Sequence, residues 1–106
     1  MFRKWSEAKP VQAGVGTVRR TMAVGEKTLL VEWSLEQGHE VPLHQHEYEQ
    51  IGYVVSGCIE MRIGEEMRRL EPGDGYVALA NVPHGAAALV DSKVIDIFSP
   101  VRPDYA

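Results

Sequence analysis

The chain reads as all-β, either a β-sandwich or a small antiparallel barrel. Three observations predict this. Apolar residues recur at every second position in short runs, and glycine, proline and polar turns bound those runs at close intervals. No stretch keeps a helical period. With 106 residues, the chain is long enough for one compact domain around one core.

The opening "SEAKPVQAGVG" is polar, ends in glycines and reads as a loop. In "KTLLVEWSL", Leu29, Val31, Trp33 and Leu35 alternate with Glu32 and Ser34, the pattern of a half-buried strand. "GHEVPLH" reads as a loop and "QIGYVVSG" as a strand. "CIEMRI" alternates again, with Ile59, Met61 and Ile63 on one face and Glu60 and Arg62 on the other. "GEE" is a hairpin turn and "MRRL" the return strand. "EPGDG" turns into the strand "YVAL", and "ANVP" bends the chain. "HGAAALV" and "KVIDIF" are strands on either side of "DS". The tail "SPVRPDYA" carries two prolines and cannot continue a sheet interior.

Composition narrows the function. Hydrophobic residues make up 44% and charged residues 25%, the balance of a soluble globular protein. The net charge is -4 and no basic stripe is available to neutralise phosphates, which argues against nucleic acid. Arg68 and Arg69, the densest cationic pair, are flanked by Glu65, Glu66 and Glu71 and read as a solvated hairpin. The single cysteine, Cys58, allows no intramolecular disulfide and suits a reducing compartment. The N-terminus "MFRKWSEAKPVQ" has no apolar core of a signal peptide, and no apolar run approaches the ~20 residues of a membrane span. The expectation is a cytoplasmic protein with no membrane partner.

The chemistry concentrates in "HQHEYEQ". In an extended segment, residues two apart share a face, so His44 and His46 project together and Gln50 keeps their parity. His84 follows a "PGD" turn and a short strand, and a returning strand can bring it opposite the first pair. Such a set can hold a metal; the bland alternative is surface histidines in a loop. His39 reads as a solvated loop histidine. Gln50 is a ligand or, alternatively, orients a histidine from behind. As a ligand its neutral amide leaves a divalent ion at +2, where a glutamate would reduce the site to +1. That favours an anionic substrate.

Asp96 lies inside "VIDIF" and shares a face with Val94 and Phe98. A lone carboxylate there is costly to desolvate, so it has a partner or a task. It is either a general acid/base or a structural aspartate. Arg102, between Pro100 and Pro103, is a carboxylate clamp or an exposed tail arginine. Phe98 fits the core. Ile51, Tyr53 and Val55 form an apolar stripe opposite the Gln50 face. If Gln50 faces inward, a second subunit is the natural cover, which predicts a homodimer.

The segment Gly38-x5-His44-x-His46-x3-Gln50-x6-Gly57 resembles the first motif of the cupins, with glutamine in the usual glutamate position. "PGDGYVALANVPH" resembles the second, ending in His84. Leu79, Asn81 and Ala88 depart from the second motif, where the family often has proline, glycine and asparagine. None of the three removes a ligand. The resemblance implies a single jelly-roll domain over residues 1–106, with a barrel core at about 29–98 and terminal extensions packed on it. It also implies one divalent metal ion, which donor chemistry leaves open among Zn, Ni, Fe, Mn and Co.

The combination of "HEYEQIGYVVSG", "PGDGYVALANVPHG" and "VIDIFSPVRPDY" is similar to KdgF-type single-domain cupins of pectin and alginate breakdown. Those convert 4,5-unsaturated uronates to linear ketonised sugars. The resemblance implies metal ligands His44, His46, Gln50 and His84, with Asp96 as acid/base. Arg102 would grip the small acidic sugar beside Phe98. Two rival readings are a cupin dioxygenase using a redox metal, and a non-catalytic metal-stabilised sugar-binding module.

Overall fold

The computed structural model describes residues 1–106. It contains one 3-10 turn, Trp5–Glu7, and ten strands. These are β1 (Pro10–Gln12), β2 (Thr17–Val24), β3 (Leu29–Leu35), β4 (Glu40–His44) and β5 (Glu49–Ser56). β6 (Ile59–Ile63), β7 (Glu66–Leu70), β8 (Gly75–Ala78), β9 (His84–Ala88) and β10 (Ser92–Ser99) follow. Every pairing is antiparallel. A six-stranded sheet runs β1-β2-β3-β10-β5-β8, and a four-stranded sheet runs β4-β9-β6-β7. Together they form a small antiparallel barrel, as the alternating runs predict.

The alternation of each strand decides what lines the barrel. In β10, Ser92, Val94, Asp96 and Phe98 are buried while the residues between them are more open. In β5, Gln50 and Val54 are buried, and Ile51, Tyr53 and Val55 face out, at 46%, 52% and 41% exposure. One interior cluster joins Leu35, Val54, Ile59, Met61, Ala88 and Val94. A second joins Leu29, Val31 and Phe98, flanked by Tyr48, Val101 and Tyr105. Burying a side chain of this size is worth about 1.5–3 kcal/mol, so the two clusters supply much of the fold's stability.

Two segments expected as loops are strands. Pro10–Gln12 pairs only with β2, so it is an edge strand, and an edge is where a strand proline is tolerated. Glu40–His44 pairs only with β9, and its register shifts between Val41 and His44, around Pro42. Both segments lack the apolar alternation that marks a half-buried strand, because an edge strand needs only one neighbour and little burial.

Turns carry their own signatures. Gly57, between β5 and β6, has φ +87, and a Cβ there would collide with the Ser92 side chain and the Asp91 carbonyl. Asn81 has φ 63, a left-handed conformation that asparagine tolerates better than most residues. Asparagine can therefore take the bend where a glycine was expected.

The N-terminal extension lies on the outside of the larger sheet. Trp5 donates its indole N–H to Glu32 at 2.7 Å, and Arg20 lies 3.7 Å from the centroid of the Trp5 ring.

Candidate functional site

The site lies at the end of the barrel where β4, β5, β9 and β10 meet the C-terminal tail. His44 closes β4 and His84 opens β9, and the two are register partners. Their rings lie 4.4 Å apart. His46 lies beyond the end of β4, so strand parity does not place it. The bend after β8 does: the Asn81 N–H donates to the His46 carbonyl at 2.7 Å. The His46 ring then stands 4.7 Å from His84 and 5.5 Å from His44. One ligand atom from each of the three histidines lies within 4.8 Å of the other two. His39 stays apart, against Gly16 and 4.0 Å from Glu36.

Backbone carbonyls fix all three imidazoles. His44 Nδ1 meets Pro42 O at 2.8 Å, His46 Nδ1 meets Tyr48 O at 2.9 Å, and His84 Nδ1 meets Val82 O at 2.9 Å. A carbonyl only accepts, so each Nδ1 carries the proton and each Nε2 keeps its lone pair. Burial lowers the pKa of His46, and the positive Arg102 lowers it further. Burial also lowers that of His84. Both rings are thus held neutral, the state a metal requires.

The donor set passes two physical tests for a cation. His84 Nε2 is buried and has no hydrogen-bond partner, a costly condition unless something binds it. His46 Nε2 faces Gln50 Oε1 at 3.1 Å. With Nδ1 protonated, two acceptors face each other there, an arrangement that a cation between or beside them relieves. Three imidazole nitrogens and an amide oxygen form a borderline set that suits first-row divalent ions.

Gln50 is buried in β5, opposite Phe98 of β10 and Ala78 of β8. Its amide reaches both ways, to His46 and towards Asp96, where it favours the carboxylate form. A glutamate here would press a second carboxylate against Asp96 inside the barrel.

Asp96 is buried at 4% exposure. Burial raises its pKa to about 6, against the opposing pull of the donors on Tyr76, Gln50 and Trp33 that surround it. The Tyr76 hydroxyl makes a short hydrogen bond to Asp96 Oδ1. The Trp33 indole is close enough to favour the charged form, but its geometry falls short of a hydrogen bond and its N–H is a buried, unpartnered donor.

Arg102 lies in the tail that folds over the open end. Its guanidinium is 3.8 Å from the centroid of the Tyr105 ring, 5.1 Å from that of Phe98 and 5.2 Å from that of Tyr48. The tail is held by Thr21, whose hydroxyl donates to the Tyr105 carbonyl, and by Arg19 stacked 4.2 Å from the Tyr105 ring centroid. Arg102 also pairs with Asp104 at 3.0 Å, and there the guanidinium side chain is 12% exposed and the carboxylate 57%.

His44, Gln50, His84, Asp96, Phe98 and Arg102 line one cavity. His46 stands at its margin, against Phe98 with ring centroids 5.8 Å apart. Phe98 is core, as its pattern suggests, and at the same time cavity wall. Trp33, Tyr76 and Tyr105 line the cavity too. Of these, Trp33 carried a sequence signal, its inward parity in β3. Tyr76 and Tyr105 carried none, because their neighbours come from distant strands.

Residues 31–98 match the family of cupin domains. The pectin degradation protein KdgF of Dickeya dadantii is 34% identical over 96 residues, covering 89% of this chain and 87% of that protein. The structure of KdgF from a Halomonas species superposes with a TM-score of 0.95 at 40% identity, covering 100% of this chain and 98% of that one. A shorter match, 46% identical over 55 residues, is to the H2HPP isomerase of Bacillus subtilis and covers 51% of this chain and 23% of that protein.

Proposed function

The chain belongs to the cupin family, and from that premise we propose that it converts 4,5-unsaturated uronates, released from pectin or alginate, to linear ketonised sugars. The observation that carries this reading is the convergence of three kinds of group on one cavity: the three-histidine cluster, the buried Asp96 carboxyl and the Arg102 guanidinium. The KdgF relatives support it at the level of pectin degradation, and the isomerase match supports an enzyme rather than a passive binder.

In this reading His44, His46, Gln50 and His84 hold one divalent ion, which when bound supplies Lewis acidity towards substrate oxygens. Arg102 binds the substrate carboxylate. Its partner Asp104 is exposed, and exposed ion pairs contribute little, so an incoming carboxylate can displace it. Phe98, Tyr48 and Tyr105 hold the guanidinium in place by stacking. Asp96 moves the proton, since a carboxyl with a pKa raised to about 6 can both accept and return one near neutral pH. The cytoplasm is the compartment that the lone, buried Cys58 suits.

The direct test follows the absorbance of the 4,5-double bond of an unsaturated uronate. Purified protein should remove it faster than the spontaneous reaction. Chelator treatment should abolish the excess rate, and one divalent metal per chain should restore it. Loss at only the spontaneous rate with every metal tried would overturn the reading.

The protein is also proposed to be a homodimer. Ile51, Tyr53 and Val55 of β5 adjoin Ile97 of β10 and Val77 of β8 on the outer face, all exposed. A second copy of the same face is the complement such an apolar patch fits. Sedimentation at micromolar concentration should give twice the chain mass, and Tyr53→Glu should give one; a wild-type monomer would remove the proposal.

A further inference from the structure

Three residues on neighbouring strands stand in one row across the sheet. Tyr76 of β8 is the register partner of Gly52 in β5, and Gly52 is the register partner of Asp96 in β10. The Tyr76 side chain crosses over Gly52, and its hydroxyl reaches Asp96 Oδ1 two strands away. The crossing is possible only because the middle residue has no side chain. A Cβ built at Gly52 would fall well inside van der Waals contact of the Tyr76 phenol and of Asp96 Oδ1. A glycine in the middle of a strand weakens that strand and commonly marks a close approach. Here the approach is by a phenol aimed at the carboxyl that lines the cavity.

We propose that Tyr76 is a positioning residue for Asp96: its phenol, admitted by the slot at Gly52, donates to Asp96 Oδ1 and fixes the carboxyl for proton transfer in the cavity. The inference rests on the reading of Asp96 as the acid/base. The torsion that turns a carboxyl about its own axis is broad, so packing alone leaves it loosely defined. A hydrogen bond from a buried hydroxyl to an ionised oxygen is among the stronger ones and sets that torsion. It uses one oxygen of Asp96. The carboxyl itself lines the cavity, where a molecule can reach it. Tyr76 gains as well, since a buried phenol needs a partner. It remains a donor, because burial and then the Asp96 charge raise its pKa well above the ordinary value.

The test compares wild type, Tyr76→Phe, Gly52→Ala and the double variant for kcat, KM, metal content and thermal melt. Tyr76→Phe should lower kcat about 10- to 100-fold, the range for losing a hydrogen bond to a charged group, with KM and metal content unchanged. Gly52→Ala should cost at least as much. The double variant should be no slower than Gly52→Ala alone, because both changes remove the same contact. A Tyr76→Phe enzyme that melts lower yet keeps wild-type kcat would make Tyr76 merely structural and overturn the proposal. A second measurement does not depend on turnover. Proton NMR of the metal-free protein should show a slowly exchanging downfield hydroxyl resonance that Tyr76→Phe removes and Asp96→Asn shifts. Its absence in wild type would also overturn the proposal. Wild type that leaves unsaturated uronate untouched while showing this resonance would sink the substrate reading and uphold the contact.

Discussion

The two ends of the barrel interior are lined by the same strands but differ in chemistry. β5 contributes Val54 to one end and Gln50 to the other. β9 contributes Ala88 and His84, and β10 contributes Val94 and Asp96. At the first end these residues meet Leu35, Ile59 and Met61 in a continuous apolar cluster, and Leu35, Ile59, Met61 and Val94 form the apolar floor of the cavity. At the other end the β4–β5 loop, the β8–β9 bend and the C-terminal tail converge. There His46 and Arg102 are brought to the mouth by segments that are not strands, His46 held by the N–H of the exposed Asn81. The pleat decides only whether a side chain points inward. Position along the strand decides whether it meets a plug or a mouth. A polar residue is tolerable at the mouth because a metal, a ligand or another side chain can satisfy it; at Val54, Ala88 or Val94, two to four residues along the same strands, the same group would be orphaned.

This division makes substitutions at the two ends separable. The largest expected effect is at the mouth. Asp96→Asn should lower kcat on the order of 10²–10⁴ while metal content holds, as befits a lost proton-transfer group. Steady-state kinetics beside elemental analysis checks this. Full kcat in that variant would move the proton to another group and erase the functional half of the contrast.

At the plugged end the cost should appear in stability instead. Val54→Ala, fully buried in the apolar cluster and outside the cavity lining, should destabilise by about 2 kcal/mol through lost burial and a residual cavity. The rate per folded molecule should stay that of wild type. Denaturant unfolding together with kcat measured well below the melting temperature tests both halves. A large fall in kcat would show the ends to be coupled.

Asp96→Asn also sharpens the contrast by moving stability upward. The folded pKa of Asp96 is about 6, raised from 3.8. The folded protein therefore holds this proton more tightly than the unfolded chain. Stability from this group is full below pH ~4, falls as pH rises through 6, and is then absent. Asparagine carries no such penalty and can still accept from Tyr76. In metal-free protein the variant should gain up to about 3 kcal/mol at pH 8 and nothing at pH 4. Melts at both pH values with chelator present decide it, and a variant less stable at pH 8 would mark Asp96 as a structural anchor.

The smallest of these effects belongs to the tail. Arg102→Ala should raise KM for a carboxylate substrate roughly tenfold and change kcat little, the pattern of a contact equally strong in ground and transition states. A shorter, uncharged sugar should not feel the change. Equal losses on charged and neutral substrates would reassign Arg102 to packing among Phe98, Tyr48 and Tyr105.

Much of this was legible in the chain itself, where the signal was local. The two-residue period put Gln50 on one face and Ile51, Tyr53 and Val55 on the other, and it grouped Asp96 with Val94 and Phe98; which face is interior came from the structure. The turn residues separated the central strands, and the motif spacing singled out His44, His46, Gln50 and His84. The strand faces depend on neighbours within a few positions, so one strand's sequence suffices for them; His84 was joined to the other three by the family resemblance. Tertiary structure alone decided the rest. It made edge strands of Pro10–Gln12 and Glu40–His44, whose pairing needs one partner and leaves no burial pattern. It placed His46 by a hydrogen bond from Asn81, folded Tyr105 and Arg102 over the mouth, and set Tyr76, Gly52 and Asp96 in one row. Register between residues that are 22 to 50 positions apart along the chain is set by the closure of the whole barrel, and no periodicity within a single strand encodes it.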